Sequence, residues 1–305
     1  MKKEEQLIRY SSISEIHKAF CMPKPQHPLI SLSYFDSEHP MNPNNVPGYD
    51  VLSFYKIKFL LEGTGRLKYG QHYYDFDDGG MMFLQPNQLV GPSTSTGGKR
   101  FYILLLHPDF IQGYPLAQKI KSFNYFSYSV NEALHLSEEE KKTILPVYQI
   151  LENELKGRID EFTQEVIIAQ LELLFSYVNR FYKRQFITRK HDNQDILQNA
   201  ESIMDDYFKN ELPLNLGLPT VQYIAGKLNI SAGYLSDMLR SLIGKSAKQY
   251  IHDKLIEKAK EKLSITNHSV AEIAYELGFE HSQSFSKLFK QKTNESPGEF
   301  RAKFN

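Results

Sequence analysis

The last third of the chain carries one apolar pattern twice, and this repetition restricts the possible folds more than any other feature of the sequence. Ala225 is followed three residues later by Leu228, and Ala274 is followed in the same way by Leu277. The two alanines are 49 residues apart, and so are the two leucines. Two short helices cross closely only where a small residue lies at the crossing and a tight turn redirects the chain. The repeated pattern therefore predicts two helix-turn-helix motifs.

The turns of the two copies support this prediction. Gly278 follows Leu277, and Asn229 holds the corresponding position in the first copy. Asparagine is, after glycine, the residue that best tolerates a left-handed backbone. From residue 195 onward the sequence shows helical patterns and turns without a strand pattern, which predicts an all-α domain over 195–305. Its expected parts are a first motif at about 220–242, a linker helix at about 247–263 and a second motif at about 269–292.

A series of short segments within this domain matches a known family. They include Ile224-Ala225, Tyr234-Leu235-Ser236, Gly244-Lys245-Ser246, Val270-Ala271-Glu272-Ile273-Ala274, Leu277-Gly278-Phe279 and Ser296-Pro297. With these residues, the chain from Val221 to Arg301 resembles the AraC family of bacterial transcription regulators. Two positions depart from the family pattern, because Leu255 stands where arginine is usual and Asn294 where glycine is usual. We expect the first departure to remove a charged contact, and asparagine tolerates the turn at the second.

The resemblance implies two recognition helices that enter successive major-groove segments of double-stranded DNA. Gln283 is expected to read adenine, and Arg240 to reach guanine or a phosphate. The carboxylate of Asp237 either accepts a hydrogen bond from cytosine or repels the phosphate backbone, so the first helix is expected to contribute less affinity. The predicted DNA-binding residues are Ser231, Ala232, Gly233, Ser236, Asp237, Arg240, His281, Ser282, Gln283, Ser286, Lys287 and Lys290. Lys245, Lys248 and Lys292 are further phosphate neighbours or ordinary solvated lysines.

Residues 28–107 show short aromatic and β-branched runs separated by glycine and proline, which predicts a small β-barrel or sandwich. Lys56 and Lys58 alternate with Tyr55, Ile57 and Phe59 along one strand. The turn at 62–65 predicts a hairpin whose second strand is 66–69, and small polar residues predict a loop at 93–98 before a buried strand at 101–106.

Members of the AraC family commonly carry a cupin-like β-barrel before the DNA-binding domain, and residues 28–107 are similar to one, especially Tyr69-Gly70-Gln71 and Phe83-Leu84-Gln85-Pro86. The resemblance implies a site for a small-molecule effector over residues 1–136. Strand alternation gives the candidate inward-facing residues, each of which has barrel packing or strand surface as its simpler interpretation. They are Phe54, Lys56, Lys58, Tyr69, His72, Tyr74 and Phe76.

Residues 137–187 are predicted to form two helices. Ser137 and Glu140 fit a capping box at the start of the first helix, which is expected to run to about residue 156. The second is expected over about 161–184 and is apolar on more than one side, so it serves either its own domain alone or a homodimer partner as well. Its stripe consists of Phe162, Val166, Ala169, Leu173, Tyr177 and Arg180 or Phe181. Residues 188–194 lack a large apolar side chain and are predicted to be a linker.

Composition excludes several classes of protein. Lys and Arg number 36 and Asp and Glu 36, so net charge alone predicts no polyanionic partner, although Thr220 to Asn305 contains 13 basic and 9 acidic residues. The single cysteine, Cys21, cannot form an internal disulfide, and we interpret it as a bystander thiol. The N-terminus lacks the apolar segment of a signal peptide, and no apolar run is long enough to cross a membrane. We therefore expect a cytoplasmic protein.

The resulting prediction is an α+β multidomain chain: a cupin-like barrel, helices and an all-α domain with two helix-turn-helix motifs. Its expected partners are double-stranded DNA, a small-molecule effector, a second copy of the chain and, for an activator, RNA polymerase. No catalytic residue, metal or cofactor is expected, because the closest histidines are 10 residues apart and no phosphate loop or nucleophile motif occurs. The alternatives are a cupin-type metalloenzyme or isomerase, a constitutive regulator without effector, and an interaction module that does not bind DNA.

Overall fold

The computed structural model describes residues 7–39, 49–63, 65–69, 72–76, 79–90, 98–129, 132–158, 160–188 and 190–304. The chain divides into two compact units, Met1–Gln185 and Phe186–Asn305. All described strands belong to the first unit, and the described part of the second unit contains helices and turns only. The predicted α+β fold class with a helical C-terminal part is therefore confirmed.

The first unit begins with strands and ends with two long helices. Its described strands are β1 (Leu7–Tyr10), β2 (Ile30–Phe35), β3 (Tyr49–Leu52), β4 (Tyr55–Gly63), β5 (Gly65–Tyr69), β6 (His72–Phe76), β7 (Gly80–Leu84), β8 (Leu89–Val90), β9 (Gly98–Leu106) and β10 (Leu134–His135). The helices that begin in this unit are α1 (Ile13–Ala19), α2 (Leu116–Lys119), α3 (Glu138–Lys156) and α4 (Thr163–Thr188). Short 3-10 turns lie at Pro108–Ile111, Ile120–Ser122 and Asn124–Ser127.

The strands form three sheets. The largest has five antiparallel strands in the order β10-β7-β4-β9-β2, so β4 lies at its centre. A second sheet has the order β1-β3-β8, and β5 pairs with β6 in a third. Opposite residues of an antiparallel pair share a face. Lys58 on β4 therefore shares a face with Ile103 on β9 and Met82 on β7.

The predicted hairpin between β4 and residues 66–69 is wrong. Within the described pairings β5 lies opposite β6, with Tyr69 opposite His72. A strand has two edges, and those of β4 pair with β7 and β9. The turn after residue 62 therefore marks the end of β4 without giving its partner. Apart from Gly98, the predicted loop at 93–98 lies outside the described residues.

The central sheet is covered on both faces. On one face the Phe59 and Tyr148 ring centroids are 5.0 Å apart, and those of Phe83 and Tyr182 are 6.3 Å apart, which packs α3 and α4 against the sheet. A strand covered on both faces is apolar along its length, as in the buried run 101–106. The core on the other face includes Tyr10, Ile13, Ile16, Phe20, Leu52, Phe54, Phe101, Ile103 and Leu105.

The capping box predicted for α3 is confirmed. The Glu140 backbone N–H donates to the Ser137 hydroxyl oxygen at 3.3 Å, and the Ser137 N–H donates to the Glu140 carboxylate at 2.9 Å. That carboxylate also accepts hydrogen bonds from the Arg184 guanidinium, at 2.9 and 2.5 Å. One glutamate thus both caps α3 and ties it to α4.

Helix α4 has a buried apolar side and an exposed apolar side. Ile167, Leu171, Leu174 and Val178 are buried in the first unit. The predicted stripe lies elsewhere: Phe162, in the turn before the helix, is exposed, as are Ala169, Leu173 and Arg180 on it, whereas Val166 and Tyr177 are half-buried and Phe181 is buried. The helix therefore stabilises its own unit through one side and presents apolar surface on another.

The second unit consists of eight described helices. They are α5 (Lys190–Lys209), α6 (Pro213–Leu216), α7 (Val221–Lys227), α8 (Ala232–Ile243), α9 (Ala247–Ile265), α10 (Val270–Glu276), α11 (Ser282–Thr293) and α12 (Pro297–Arg301). Helix α5 begins inside the predicted linker 188–194, so most of that segment is helical. The lack of large apolar residues there does not distinguish a helix from an irregular connection.

Candidate DNA interface and effector site

The C-terminal unit contains two helix-turn-helix motifs, α7 with α8 and α10 with α11. Ala225 and Ala274 are buried in the first helix of each motif. After each alanine the chain turns in the same way, because the N–H of Ile230 donates to the Ala225 carbonyl and the N–H of Phe279 to the Ala274 carbonyl, both at 3.0 Å. The small residues thus lie where the motif requires close packing.

Both turns contain the expected left-handed residue. Asn229 has φ 56° and Gly278 has φ 91°. Asn229 is exposed, whereas a Cβ on Gly278 would lie 2.5 Å from the carbonyl carbon of Gly217, in the turn after α6. The second turn therefore requires glycine for space as well as for conformation, whereas the first requires a residue that tolerates positive φ but leaves room for a side chain.

The second turn is one residue longer than the first. Ser231, the N-cap of α8, is three residues after Leu228, whereas His281, the N-cap of α11, is four residues after Leu277. The separation of 49 residues therefore holds only up to the turn, and beyond it corresponding positions are 50 residues apart. Gly244 and Asn294, which end the two recognition helices in left-handed conformation, follow this second spacing.

Each recognition helix buries one face and leaves the predicted DNA-binding residues on the other. In α8 the buried residues are Tyr234, Leu235, Met238 and Leu239, and in α11 they are Phe285 and Phe289. The predicted residues Arg240, His281, Gln283, Lys287 and Lys290 are exposed, and Ser231, Ala232, Gly233, Ser236, Asp237, Ser282 and Ser286 are half-buried. Because corresponding positions beyond the turn are 50 residues apart, these twelve residues form six corresponding pairs. Asp237 corresponds to Lys287, and Arg240 corresponds to Lys290.

Three predicted contact residues of the first motif also have structural roles. The Ser231 hydroxyl oxygen accepts a hydrogen bond from the Tyr234 N–H at 3.1 Å, so this serine caps α8. Arg240 donates to the Asp237 carboxylate at 2.7 Å, one turn along the same helix. In α11 the N-cap residue His281 makes no side-chain capping bond. The charges of Asp237 and Arg240 therefore neutralise each other on the first recognition face, whereas the second carries Lys287 and Lys290.

Asp253 is a residue that the sequence patterns did not single out. Its carboxylate lies 2.6 Å from the ammonium of Lys245 and 2.8 Å from that of Lys292. It therefore links the turn after α8, the linker helix α9 and the C-terminal end of α11. Lys245 and Lys292, two of the lysines predicted as phosphate neighbours, are thus engaged in ion pairs, while the third, Lys248, is exposed. No local signal marks such a contact, because Lys292 is 39 residues away from Asp253.

The two departures from the family pattern have simple structural outcomes. Leu255 is buried in α9, so an apolar contact with the core stands where the family has a charged residue. Asn294 has φ 62°, and its N–H donates to the Lys290 carbonyl at 2.8 Å, which ends α11 as a glycine would.

In the N-terminal unit the structure brings three of the predicted effector residues together. Phe54 is fully buried, and Lys56 and Lys58 are half-buried on the face of β4 that carries the cluster with Ile103 and Leu105. Tyr69, His72, Tyr74 and Phe76 lie on β5 and β6, and their side chains lie outside the described part of the structure. Their predicted role therefore rests on the strand pattern alone.

The lysines have an acidic neighbour that the sequence did not reveal. Asp50 on β3 acts electrostatically on Lys56, and its Oδ1 is buried without a hydrogen-bond partner among the residues that the structure describes. Burial raises the pKa of Asp50, against the opposing effect of Lys56. Burial lowers the pKa of Lys56, and burial together with the charge of Lys56 lowers the pKa of Lys58 to about 8. The Lys58 ammonium lies 4.5 Å from the centre of the Phe101 ring.

A cavity of about 500 Å³ lies in the same unit, between β2, the segment after α1 and the end of α3. Its lining includes His17, whose Nδ1 lies 2.5 Å from the Pro23 carbonyl and whose Nε2 lies 2.8 Å from the Ser31 hydroxyl. Since a carbonyl only accepts, Nδ1–H donates to it, and in the neutral ring Nε2 accepts from Ser31. Phe20 and Met22 line both this cavity and the small space beside Lys56.

Comparisons with known proteins agree with the two units. Residues 224–303 match the family described as a helix-turn-helix domain, and residues 35–159 match the family described as an AraC-like ligand binding domain. The chain belongs to the AraC family of transcription regulators. It is accordingly a DNA-binding transcription regulator with an N-terminal ligand-binding domain, a kind of protein that is not normally an enzyme.

Individual AraC-type relatives match over most of the chain. An uncharacterized HTH-type transcriptional regulator of Bacillus subtilis (strain 168), YfiF, is 25% identical over 256 residues, covering 82% of this chain and 77% of that protein. The Msm operon regulatory protein of Streptococcus mutans is 24% identical over 255 residues, covering 83% and 86%. Among solved structures, the C-terminal domain of the response regulator yesN from Fusobacterium nucleatum is 30% identical, covers 34% of this chain and 98% of that one, and has a TM-score of 0.29.

The described residues contain neither a cluster of metal ligands nor a membrane-spanning helix. Among them, no three His, Cys, Asp or Glu side chains are grouped so that they could hold a metal ion. Within the same residues, no helix has the length and apolar character needed to cross a membrane.

Proposed function

We propose that this regulator binds a specific double-stranded DNA sequence through α8 and α11, which enter successive major-groove segments. The observation that supports this most directly is the matched pair of helices. Each leaves one polar face at the start of the helix while burying the opposite face. A recognition helix uses the residues near its N-terminus to contact base edges. We assign to Gln283 the reading of adenine through N6 and N7, because its amide both donates and accepts.

The second motif contributes more of the affinity. Lys287 and Lys290 are exposed on α11, and the corresponding residues of α8, Asp237 and Arg240, form an ion pair with each other. Each phosphate neutralised by a lysine releases counterions and steepens the salt dependence of binding. We therefore assign more of the phosphate contact to α11.

The regulator acts as a homodimer through α4. Two exposed apolar side chains lie at this helix: Phe162, in the turn directly before α4, is 60% exposed, and Leu173, on α4, is 43% exposed. Apolar side chains at helical spacing gain free energy when a second helix covers them. In a two-fold symmetric dimer, this surface of one copy packs against the same surface of the second copy.

A small-molecule effector in the barrel biases how the dimer presents its DNA-binding domains. The effector shifts this balance only by its differential affinity for the two arrangements. If the regulator activates transcription, it also contacts RNA polymerase. A constitutive regulator without effector lacks this coupling, and its thermal stability does not respond to metabolites.

The test is binding of the purified protein to its own upstream DNA, titrated against salt and against an unrelated duplex. We expect preference for the upstream duplex, weaker binding as salt rises, and a loss of about 1–3 kcal/mol of sequence discrimination in Gln283→Ala. Gln291→Ala makes the same change at the exposed C-terminal end of α11 and serves as the control. Sequence-blind binding that ignores salt would support an interaction module, and failure on every selected duplex would refute the proposal.

A further inference from the structure

The inward face of β4 carries two ammonium groups in surroundings that are otherwise apolar. Lys58 lies opposite Ile103 and Met82, and Lys56 lies opposite Leu105. β4 is the central strand of its sheet, and both lysine side chains are half-buried. Lysine is normally exposed, and it is retained inside a protein where its charge has a partner.

The charges of this face do not balance among the side chains that the structure describes. Asp50 is the carboxylate that acts on Lys56, whereas Lys58 has an aromatic ring and the like charge of Lys56 as its neighbours. A ring face attracts an ammonium but contributes less than a carboxylate would. One positive charge is therefore left over in a place where a charge is costly.

The carboxylate of Asp50 has an unsatisfied oxygen. Its Oδ1 is buried and has no hydrogen-bond partner within the described ranges of the chain. Tyr10, whose pKa is raised first by burial and then by the charge of Asp50, lies within its electrostatic reach. A group that donates a hydrogen bond inside the barrel would satisfy Oδ1, and a group that carries negative charge would satisfy Lys58.

We propose that this face binds a small organic anion that also carries a hydroxyl group, with Lys58 and Lys56 facing its anionic oxygens and Asp50 accepting its hydroxyl hydrogen. The inference rests on the effector role proposed above and adds the chemical class of the effector. The anionic oxygens belong either to a carboxylate, as in a sugar acid, or to a phosphate, as in a sugar phosphate. Phe20 and Met22 line both the cavity of about 500 Å³ and a small space beside Lys56, so the cavity approaches this face of β4 but is not lined by the two lysines.

The substitution Lys58→Met tests the proposal first in the protein without added ligand. Methionine retains much of the length of lysine and removes the charge. A charge kept for a ligand costs stability when the ligand is absent. In a buffer whose only anion is chloride, we expect Lys58→Met to raise the melting temperature of the full chain by on the order of 5 °C. Lys119→Met replaces an exposed lysine of the same unit and is expected to leave it unchanged.

The second arm adds the probes gluconate, glucose 6-phosphate and neutral glucose at matched ionic strength. We expect gluconate or glucose 6-phosphate to raise the melting temperature of the wild type and of Lys119→Met but not of Lys58→Met, and the responding probe distinguishes carboxylate from phosphate. Glucose is expected to do nothing. A lower melting temperature in Lys58→Met identifies a structural lysine and overturns the proposal. Equal responses of the wild type and Lys58→Met, or no response to either anion, also overturn it.

The charge state of Lys58 supplies an independent readout. Lysine has an ordinary pKa of 10.5, and burial and Lys56 lower that of Lys58 to about 8 in the folded protein. Between these pH values the unfolded chain holds the proton and the folded chain does not, so stability rises with pH. The wild type, which keeps Lys58, therefore gains stability over this pH range relative to Lys58→Met. The difference between their melting temperatures should become smaller from about pH 8 towards pH 10.5. Lys56, Asp50 and Tyr10 face the same region and remain in both proteins. A gap that stays constant overturns the proposal.

The same preparations are tested for binding to the upstream duplex. Sequence-selective DNA binding without the lysine-dependent response to anions refutes the anionic effector and leaves the proposed function standing. Absence of selective DNA binding with the anion response intact refutes the proposed function instead.

Discussion

The two helix-turn-helix motifs have helices of equal length, yet they differ in the turn and on the recognition face. Both have a first helix of 7 residues and a recognition helix of 12. The first turn is exposed at Asn229, while the second is packed against Gly217 at Gly278 and is one residue longer. The first recognition face pairs its own charges, and the second presents lysines. The two motifs thus differ in whether the turn is packed against the rest of the unit and in the charge of the recognition face, which is more basic in the second.

Gly278→Ala gives the largest expected effect. Alanine at positive φ is strained, and its Cβ would meet the Gly217 backbone, which a side-chain movement cannot relieve. We expect α10 and α11 to lose about 3 kcal/mol of local stability, measured by hydrogen exchange of their amides in the full chain. The matched variant Asn229→Ala is expected to cost α7 and α8 about 1 kcal/mol, because the preference of asparagine for a left-handed backbone is lost. Equal losses would contradict the difference between the turns.

Ser231→Ala tests the difference between the helix starts. The serine caps α8 through the Tyr234 N–H, so its loss is expected to cost about 1 kcal/mol. His281→Ala removes the corresponding residue of α11, which makes no capping bond, and should change stability by no more than about 0.3 kcal/mol. Hydrogen exchange in the first turn of each helix measures both values. A comparable loss in His281→Ala would show that α11 depends on its N-cap side chain after all.

Lys287→Ala tests whether the second motif supplies the phosphate contacts. We expect affinity for the upstream and the unrelated duplex to fall by a similar factor, about fivefold, and the salt slope to decrease in magnitude by about 1. Lys260→Ala removes an exposed lysine of α9 as the control for net charge. If Lys287→Ala changes the sequence preference while the salt slope stays the same, this lysine reads bases and the assignment is incorrect.

The sequence predicted the features of both units that depend on neighbouring residues. The capping box at Ser137 and Glu140 and the left-handed Asn229 and Asn294 follow from a few consecutive positions. The apolar period likewise gave the motifs and the exposed stripe of α4, because helix faces repeat over short distances. The roles of the DNA-binding and effector residues remain predictions.

Features that depend on contacts between separate elements could not be predicted from the sequence. The pairing of β5 with β6 depends on which strands occupy the edges of β4, and no local pattern reports this. The contact of Gly278 with Gly217 and the bridging role of Asp253 join segments that are far apart in the chain. The partial neutralisation of Lys56 by Asp50 depends on β3 lying close to β4 in space.

Asp237→Asn is the smallest expected effect and has the opposite sign. The carboxylate pairs with Arg240 at 2.7 Å and faces the side of α8 that is proposed to approach DNA. Asparagine has similar size but no charge, so it removes repulsion of the phosphates and releases the guanidinium to reach one. We expect affinity to rise about two- to threefold, roughly 0.5 kcal/mol, with a steeper salt dependence.

The control for this change is Asp206→Asn, which neutralises an exposed carboxylate on α5. If both variants strengthen binding equally, the effect comes from net charge, because it does not depend on where the carboxylate lies. If Asp237→Asn instead weakens binding to the upstream duplex alone, the carboxylate accepts a hydrogen bond from a base such as cytosine. In that case the first motif reads sequence through the residue that makes its recognition face neutral, and the two motifs differ in what they read more than in how strongly they bind.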